Sequence, residues 1–264
     1  MFGVGSGRNS SDNARHDPPP RKPGAGMTAR KPRPGGARRW FARLAAFAVI
    51  ALLLWQGWYF GWVVWWRFFD PGQTSFMAQR LEVLREKNPQ AQLRHVWTPY
   101  GKISIQLKRA VVAAEDDKFI DHEGFDWEGI QKALEKNQKK GKIVAGGSTI
   151  SQQLAKNLFL SAAKTPWRKA QEAIVTVWLE LLWDKRRILE VYLNVVEWGE
   201  GVFGAEAAAR RYFASGAGQL SAAQAARLAV MLPAPRKFEK NPYSAYLDRR
   251  TEQILARMGH AVVP

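Results

Sequence analysis

The sequence contains no cysteine. That removes a disulfide framework and every thiolate metal site, and it leaves either side of a bacterial inner membrane open as a location. Histidine is scarce, with four copies. No G-K-[ST] ending completes a Walker A loop, and the EF-hand pattern D-x-[DN]-x-[DN]-G is not met. No zinc, RNP or helix-turn-helix signature is present, so the basic charge has no nucleic-acid module to serve. Strand-forming stretches are few; "AQLRHVWTPY" (91–100) is the one candidate. Acidic residues are nearly missing from positions 1–43, which hold two of the 23 Asp/Glu but ten of the 40 Lys/Arg. Charge of either sign is missing altogether from 44 to 66.

The first 43 residues are rich in Pro, Gly and Ser as well as basic. Such a segment cannot bury enough apolar surface to offset its ordering entropy and is expected to be disordered. Its charge is either solvated or drawn to an anionic lipid surface. The uncharged run "LAAFAVIALLLWQGWYFGWVVWW" (44–66) is long enough, at about 1.5 Å per residue, to cross a hydrocarbon core of roughly 30 Å. Arg38, Arg39 and Arg43 precede it, which places the N-terminus in the cytoplasm. Trp55, Trp58, Tyr59, Trp62, Trp65 and Trp66 gather at the far end as an aromatic belt. A cleaved signal peptide would have a shorter apolar region and a small-x-small cleavage site, so the segment reads as an uncleaved single-pass anchor. Gly57 and Gly61 form a lone GxxxG, which carries little weight by itself.

Residues 75–264 read as one all-α domain outside the cytoplasm, beside the bilayer, where no ATP is available. Helix starts are predicted at Ser75, at Asp126 before "WEGIQKALEKNQKK", and at Thr165 followed by Pro166. Two more are predicted at Asp184 and at the Ser221/Gln224 capping box. Further helices are expected in "ISIQLKRAVVAAEDD", "TISQQLAKNLFL", "AEAAARRYF" and "SAYLDRRTEQILARM".

Three placements run against local stability. Glu115 and Asp116 follow the apolar run 110–114 at a helix C-terminus, where the macrodipole disfavours carboxylates by a few tenths to about 1 kcal/mol. Such a site raises a carboxylate's pKa and suits a general base; the alternative is a solvated acidic loop. His122, with no second histidine at helical spacing, reads as a hydrogen-bonding loop residue. Arg168 and Lys169 lie in the first turn of one helix, and Lys185, Arg186 and Arg187 in the first turn of another. An anion faced by both clusters, such as a pyrophosphate, would offset their cost; neutralisation by Glu172, Asp184 and solvent is the other reading. Between them, "GGSTISQQLAKN" (146–157) leads two glycines into a helix N-terminus. Thr149, Gln152, Gln153 and Lys156 are spaced to share one polar face. A carboxylate base and a cationic patch beside a membrane fit glycosyl transfer from a lipid-pyrophosphate sugar.

Four ordered blocks resemble a known family. "EDDKFIDHEG" (115–124) fits E-D-x-x-F-x-x-H-x-G, and "GGSTISQQLAKN" fits G-x-S-T-x-x-Q-Q-x-x-K-N. "RKAQE" (168–172) fits R-K-x-x-E, and "KRRILEVYLN" (185–194) fits K-x-x-I-x-x-x-Y-x-N. Over about residues 95–240 the chain resembles the peptidoglycan glycosyltransferases that polymerise lipid II, of the monofunctional biosynthetic kind. The resemblance implies an all-α, lysozyme-like, two-lobed fold with a smaller lobe dipped in the bilayer, for which "NLFLSAAKTPW" (157–167) is the candidate segment. It implies Glu115 as general base and Glu172 as a second essential carboxylate, near the pyrophosphate or orienting cations around it. Lys156, Arg168 and Lys169 become donor-phosphate contacts, and Asp116, His122, Ser148, Thr149, Gln152, Gln153 and Asn157 substrate-lining groups. Lys185, Tyr192 and Asn194 are read as support. No cofactor is required; a divalent cation, Mg or Mn, is left open, with no metal ligands assigned. Partners are lipid II, the lipid-linked strand, the bilayer and other cell-wall synthesis and division proteins. "SAAK" (161–164) matches S-x-x-K, but no S-x-N or K-T-G follows, so no transpeptidase is expected. The rivals are a lysozyme-like glycan-cleaving enzyme and a non-catalytic membrane scaffold.

Overall fold

The computed structural model describes Gly7, residues 35–142, 146–161, 163 and 165–264. The basic tail before Gly35 therefore falls almost wholly outside the described residues. Two compact units make up the chain, residues 1–49 and 50–264.

The anchor is longer than its uncharged run. Helix α1 spans Gly35–Phe68, 34 residues, or about 50 Å at the α-helical rise. The stretch Arg38–Phe68 is apolar and long enough to cross a membrane. From Trp55 onward one face of α1 is not free. Trp55 stacks on Trp167, Phe60 meets Trp178 edge-on, and Tyr59 and Trp66 both pack on Phe159. Gln56 and Gln171 exchange amide hydrogen bonds of 2.9 and 3.1 Å. The Trp183 indole N–H donates to the Val63 carbonyl at 2.8 Å. Trp58, Val64 and Trp65 remain exposed on the other face, and Gly57 and Gly61 have open space before them.

The domain is helical because its caps are strong. Helix α2 covers Ser75–Lys87; its cap is Thr74 and not Ser75, since the extended Thr74 is the residue whose hydroxyl reaches the Met77 amide. Ser104 caps α3 (Ile105–Glu115) and Asp126 caps α4 (Trp127–Lys140). Thr149 with Gln152 closes a capping box on α5 (Ile150–Phe159). Thr165 and Pro166 open α6 (Pro166–Leu182), and Asp184 caps α7 (Lys185–Val195). Then follow α8 (Ala205–Phe213), α9 (Ala222–Met231) with its Ser221/Gln224 box, the short α10 (Pro235–Phe238) and α11 (Ala245–Met258).

Among the described residues a small sheet accompanies them. Strand β1 (Arg94–His95) lies in the predicted stretch and runs parallel to β3 (Val202–Phe203), which pairs antiparallel with β2 (Glu197–Gly199). Strands of two or three residues have no room for the alternation that betrays a strand in sequence. Gly204, which opens α8, has φ +82° and would put a Cβ 2.7 Å from the Asn194 carbonyl. Only glycine fits there.

The core gathers in two helical groups. In one, α5 packs between α6 and α7 and touches α2; in the other, α3 packs on α9 with α11 against both. The C-terminus of α3 and the N-terminus of α5 meet where the groups join. This is a lysozyme-like all-α arrangement. The segment 157–167, expected to expose apolar side chains, instead buries Leu158 and Leu160 and packs Phe159 on the anchor. Ala162 and Lys164 lie outside the described residues. Trp167 alone in that segment is a large apolar residue left exposed, and Ile174, Val177 and Leu181 continue an exposed apolar line along α6.

Candidate active site

The acidic loop after α3 is a docking device. Asp116 is buried, and both its oxygens are engaged: Oδ2 accepts the Ile150 amide at 2.9 Å, and Oδ1 lies 2.9 Å from His122 Nε2. The Gly124 amide donates to His122 Nδ1 at 3.1 Å, which assigns the ring proton to Nε2. Gly124, at φ +89°, returns its carbonyl to the Thr149 hydroxyl at 2.7 Å. A Cβ there would come within 2.8 Å of Thr176. The loop thus pins the start of α5 onto the end of α3. The Asp116 carboxylate, misplaced at the C-terminus of α3, comes to lie at the N-terminus of α5, where the dipole favours it.

Glu115 ends α3. Its Oε2 accepts the Gln153 side-chain amide at 2.7 Å, and Gln153 Oε1 accepts the Tyr192 hydroxyl at 2.9 Å. Tyr192 is fully buried. Glu115 Oε1 is enclosed and has no hydrogen-bond partner. Burial pushes the carboxyl above its ordinary range; the Gln153 bond pulls it down, Asp116 pushes it up and Lys156 pulls it down. Burial is the largest of these causes. Glu115 lines a cavity of about 160 Å³ with Asp117, Asp126, Ser148 and Arg257.

Gln153 also faces a larger cleft of about 510 Å³, shared with Lys156, Asn157 and Arg168. Arg168 and Lys169 grip the Glu172 carboxylate, one on each oxygen, and Glu172 is 3% exposed. The Lys169 ammonium also reaches Ser148 Oγ at 3.4 Å. The Lys156 ammonium makes no hydrogen bond or ion pair with the described residues, and its pKa is lowered. Burial is the chief cause, opposed by Glu172, reinforced by Arg168 and Lys169, and opposed by Glu115. Three basic side chains therefore surround one carboxylate, an arrangement left with net positive charge.

A family model described as Transglycosylase matches residues 81–259. The chain belongs to the transglycosylase family. Proteins named "Biosynthetic peptidoglycan transglycosylase" are similar along nearly their whole length. That of Azoarcus sp. (strain BH72) is 64% identical over 86% of this chain and 97% of its own. Those of Dechloromonas aromatica (strain RCB) and Aromatoleum aromaticum are 61% and 60% identical over 86% of this chain, and over 98% and 99% of their own.

Not every residue picked out in this transglycosylase sits where expected. Thr149, Gln152, Gln153 and Lys156 do not form one polar face. Thr149 and Gln152 are buried and bind each other in the capping box, which leaves Gln153 and Lys156 on the cleft. His122 and Asp116 hold the loop. The second basic cluster does not join the first. Lys185 donates to the His122 carbonyl and to Glu180, Arg186 lies over the Tyr100 ring, and Arg187 caps the end of α1 through the Trp66 and Phe69 carbonyls. Asn194 bonds the Thr98 backbone on both sides, and Tyr192, read as support, reaches Gln153. Arg80, Glu197, Arg236 and Arg257 also line the cavities and escaped notice, because they lie outside the four blocks and converge only through tertiary packing. Among the described residues no group of three or more His, Cys, Asp or Glu is placed to hold a metal.

Proposed function

We propose that the chain polymerises lipid II into linear glycan strands by inverting glycosyl transfer. Glu115 takes the proton from the 4-hydroxyl of the acceptor GlcNAc. That oxygen attacks C1 of the MurNAc at the end of the lipid-linked strand, and undecaprenyl pyrophosphate leaves. Lys156, Arg168 and Lys169 meet the developing diphosphate charge, where fixed cations in a poorly hydrated site act most strongly. Glu172, taken up on both oxygens, holds Arg168 and Lys169 in place and transfers no proton. Gln153, Asn157 and Ser148 line the path between base and phosphates; Asp116, His122, Thr149 and Gln152 keep the two helix ends together. The anchor lies in the inner membrane with its N-terminus cytoplasmic and the domain periplasmic, and no transpeptidase activity accompanies the transfer.

One observation carries this reading. Gln153 joins the base to the cationic cleft: its amide holds Glu115 while its side chain lines the cavity of Lys156 and Arg168. Hydrolysis of a neutral sugar bond has no use for that cleft. The test is polymerisation by the detergent-solubilised protein, with Glu115→Gln beside it. Wild type is expected to consume lipid II and leave finished strands uncut, and the variant to lose about 10²- to 10⁴-fold in rate, the usual share of a general base. Near-wild-type polymerisation by the variant would remove Glu115 from its role.

A further inference from the structure

The far end of the large cleft is built from residues that the proposed chemistry does not use. Glu197 on β2 is 5% exposed. Its Oε2 lies 3.3 Å from Arg80 Nε of α2 and 3.8 Å from Arg236 Nε of α10. Its Oε1 is enclosed without a well-formed hydrogen bond. All three residues line the same cavity as Gln153, Lys156 and Arg168, and so does Lys237. Three elements distant in sequence thus converge on one carboxylate at the cleft wall.

The charges there do not balance. Burial pushes Glu197 above the ordinary carboxylate range, although Arg80 and Arg236 pull it down, the Gly201 amide eases its charge and Glu239 pushes it up again. Even fully ionised, one carboxylate cannot neutralise two guanidiniums and a nearby ammonium. Glu239 is occupied, because both its oxygens accept the Glu200 amide at 3.0 Å. Arg236 keeps half of its side chain exposed, so its remaining donors are open to a ligand.

We infer that Arg80, Arg236 and Lys237, steadied by Glu197, form a second anion subsite, one that takes a carboxylate of the peptide carried on the MurNAc of the donor strand. The inference rests on the proposed glycosyl transfer. With the pyrophosphate at Lys156 and Arg168, the strand extends along the cleft away from them. The anionic groups it brings are peptide carboxylates, and a fork of arginine donors matches them in geometry and sign. Glu197 acts through the arginines and is a positioning residue.

The experiment uses the full chain in detergent micelles. The donor is a short lipid-linked strand, either with free peptide carboxylates or with the same peptide amidated, and an unmodified acceptor is held at saturation. Amidation is expected to raise the donor KM of wild type roughly tenfold, the size of one charge-assisted hydrogen bond at a partly exposed site. In Arg236→Gln/Lys237→Gln the two donors should give the same KM, because the charge that told them apart is gone. An unchanged wild-type KM on amidation would overturn the inference. So would equal losses for both donors in the variant, which would assign these cations to the pyrophosphate. Turnover of either donor by wild type keeps the transfer reading standing whichever way the subsite falls.

Discussion

Glu115 keeps one oxygen on the Gln153 amide, leaves the other without a partner, and carries a carboxyl held above its ordinary range by burial. The same feature that makes it a strong base weakens the fold. Below the ordinary carboxylate range the group is protonated in both folded and unfolded chains and contributes no pH dependence. As pH rises from there through the higher folded value, the unfolded chain releases its proton first, and native stability falls. Melting curves of wild type and Glu115→Gln measured from pH 4 to pH 8 should therefore diverge in favour of the variant as pH rises; parallel curves would mean that the carboxyl titrates normally. Tyr192→Phe removes the hydroxyl that holds Gln153, a bond worth about 1 kcal/mol. A loosened Gln153 weakens the bond that lowers the Glu115 pKa. Turnover should drop several-fold and the acid limb of the pH–rate profile should move to higher pH; an unmoved limb would separate Tyr192 from the proposed base. Glu115, Gln153 and Lys156 were picked out from residue type and spacing, and Gln153 does touch Glu115 and share a cleft with Lys156. The unpaired oxygen and the Tyr192 link were not, because both depend on α3, α5 and α7 meeting in space.

Single elements were read well where the signal was local. Asp126, Thr165 with Pro166, Asp184 and the Ser221/Gln224 box begin helices as their chemistry dictates. The reading failed where a side chain had two uses. Thr149 and Gln152 were counted as a polar face and are instead a capping box, and Lys185–Arg187 were counted as an anion cluster and instead tie loop, helix and anchor together. The largest surprise at this scale is α6. It carries Arg168, Lys169 and Glu172, and it is registered against the anchor by the Gln56–Gln171 pair. Gln171 is 3% exposed, so Gln56→Leu leaves a buried amide unsatisfied at a cost of about 1–3 kcal/mol. Thermal stability should fall and the donor KM should rise together, since the strained helix is the one bearing the proposed phosphate contacts. Adding Gln171→Leu should recover most of the stability, because replacing both partners removes the orphan. A double variant no more stable than Gln56→Leu would show that the pair does not register the helices.

The whole molecule poses a question of depth. Helix α1 has 34 residues, more than a hydrocarbon core requires, and one face of it beyond Trp55 is occupied by the domain. The opposite face stays apolar and open at Trp58, Val64 and Trp65. If lipid covers that face, helix α6 beside it is covered as well, and the exposed line Ile174, Val177 and Leu181 is then a lipid contact and not a solvent-facing defect. An apolar line next to a membrane helix is most cheaply buried in the bilayer itself. The Arg168–Lys169–Glu172 cluster of α6, the proposed phosphate site, would then sit at the level where a lipid-linked diphosphate emerges, so the substrate need not be lifted out to react. The chain contains no cysteine, so nitroxide labels can be placed one at a time on the full protein in nanodiscs. Labels at Ile174, Val177 and Leu181 should be readily relaxed by oxygen and poorly by a water-soluble nickel chelate, whereas a label at the exposed Val262 should show the reverse. Chelate access at the α6 positions equal to that at Val262 would place α6 in water, and the site would then have to draw its substrate up from the membrane surface.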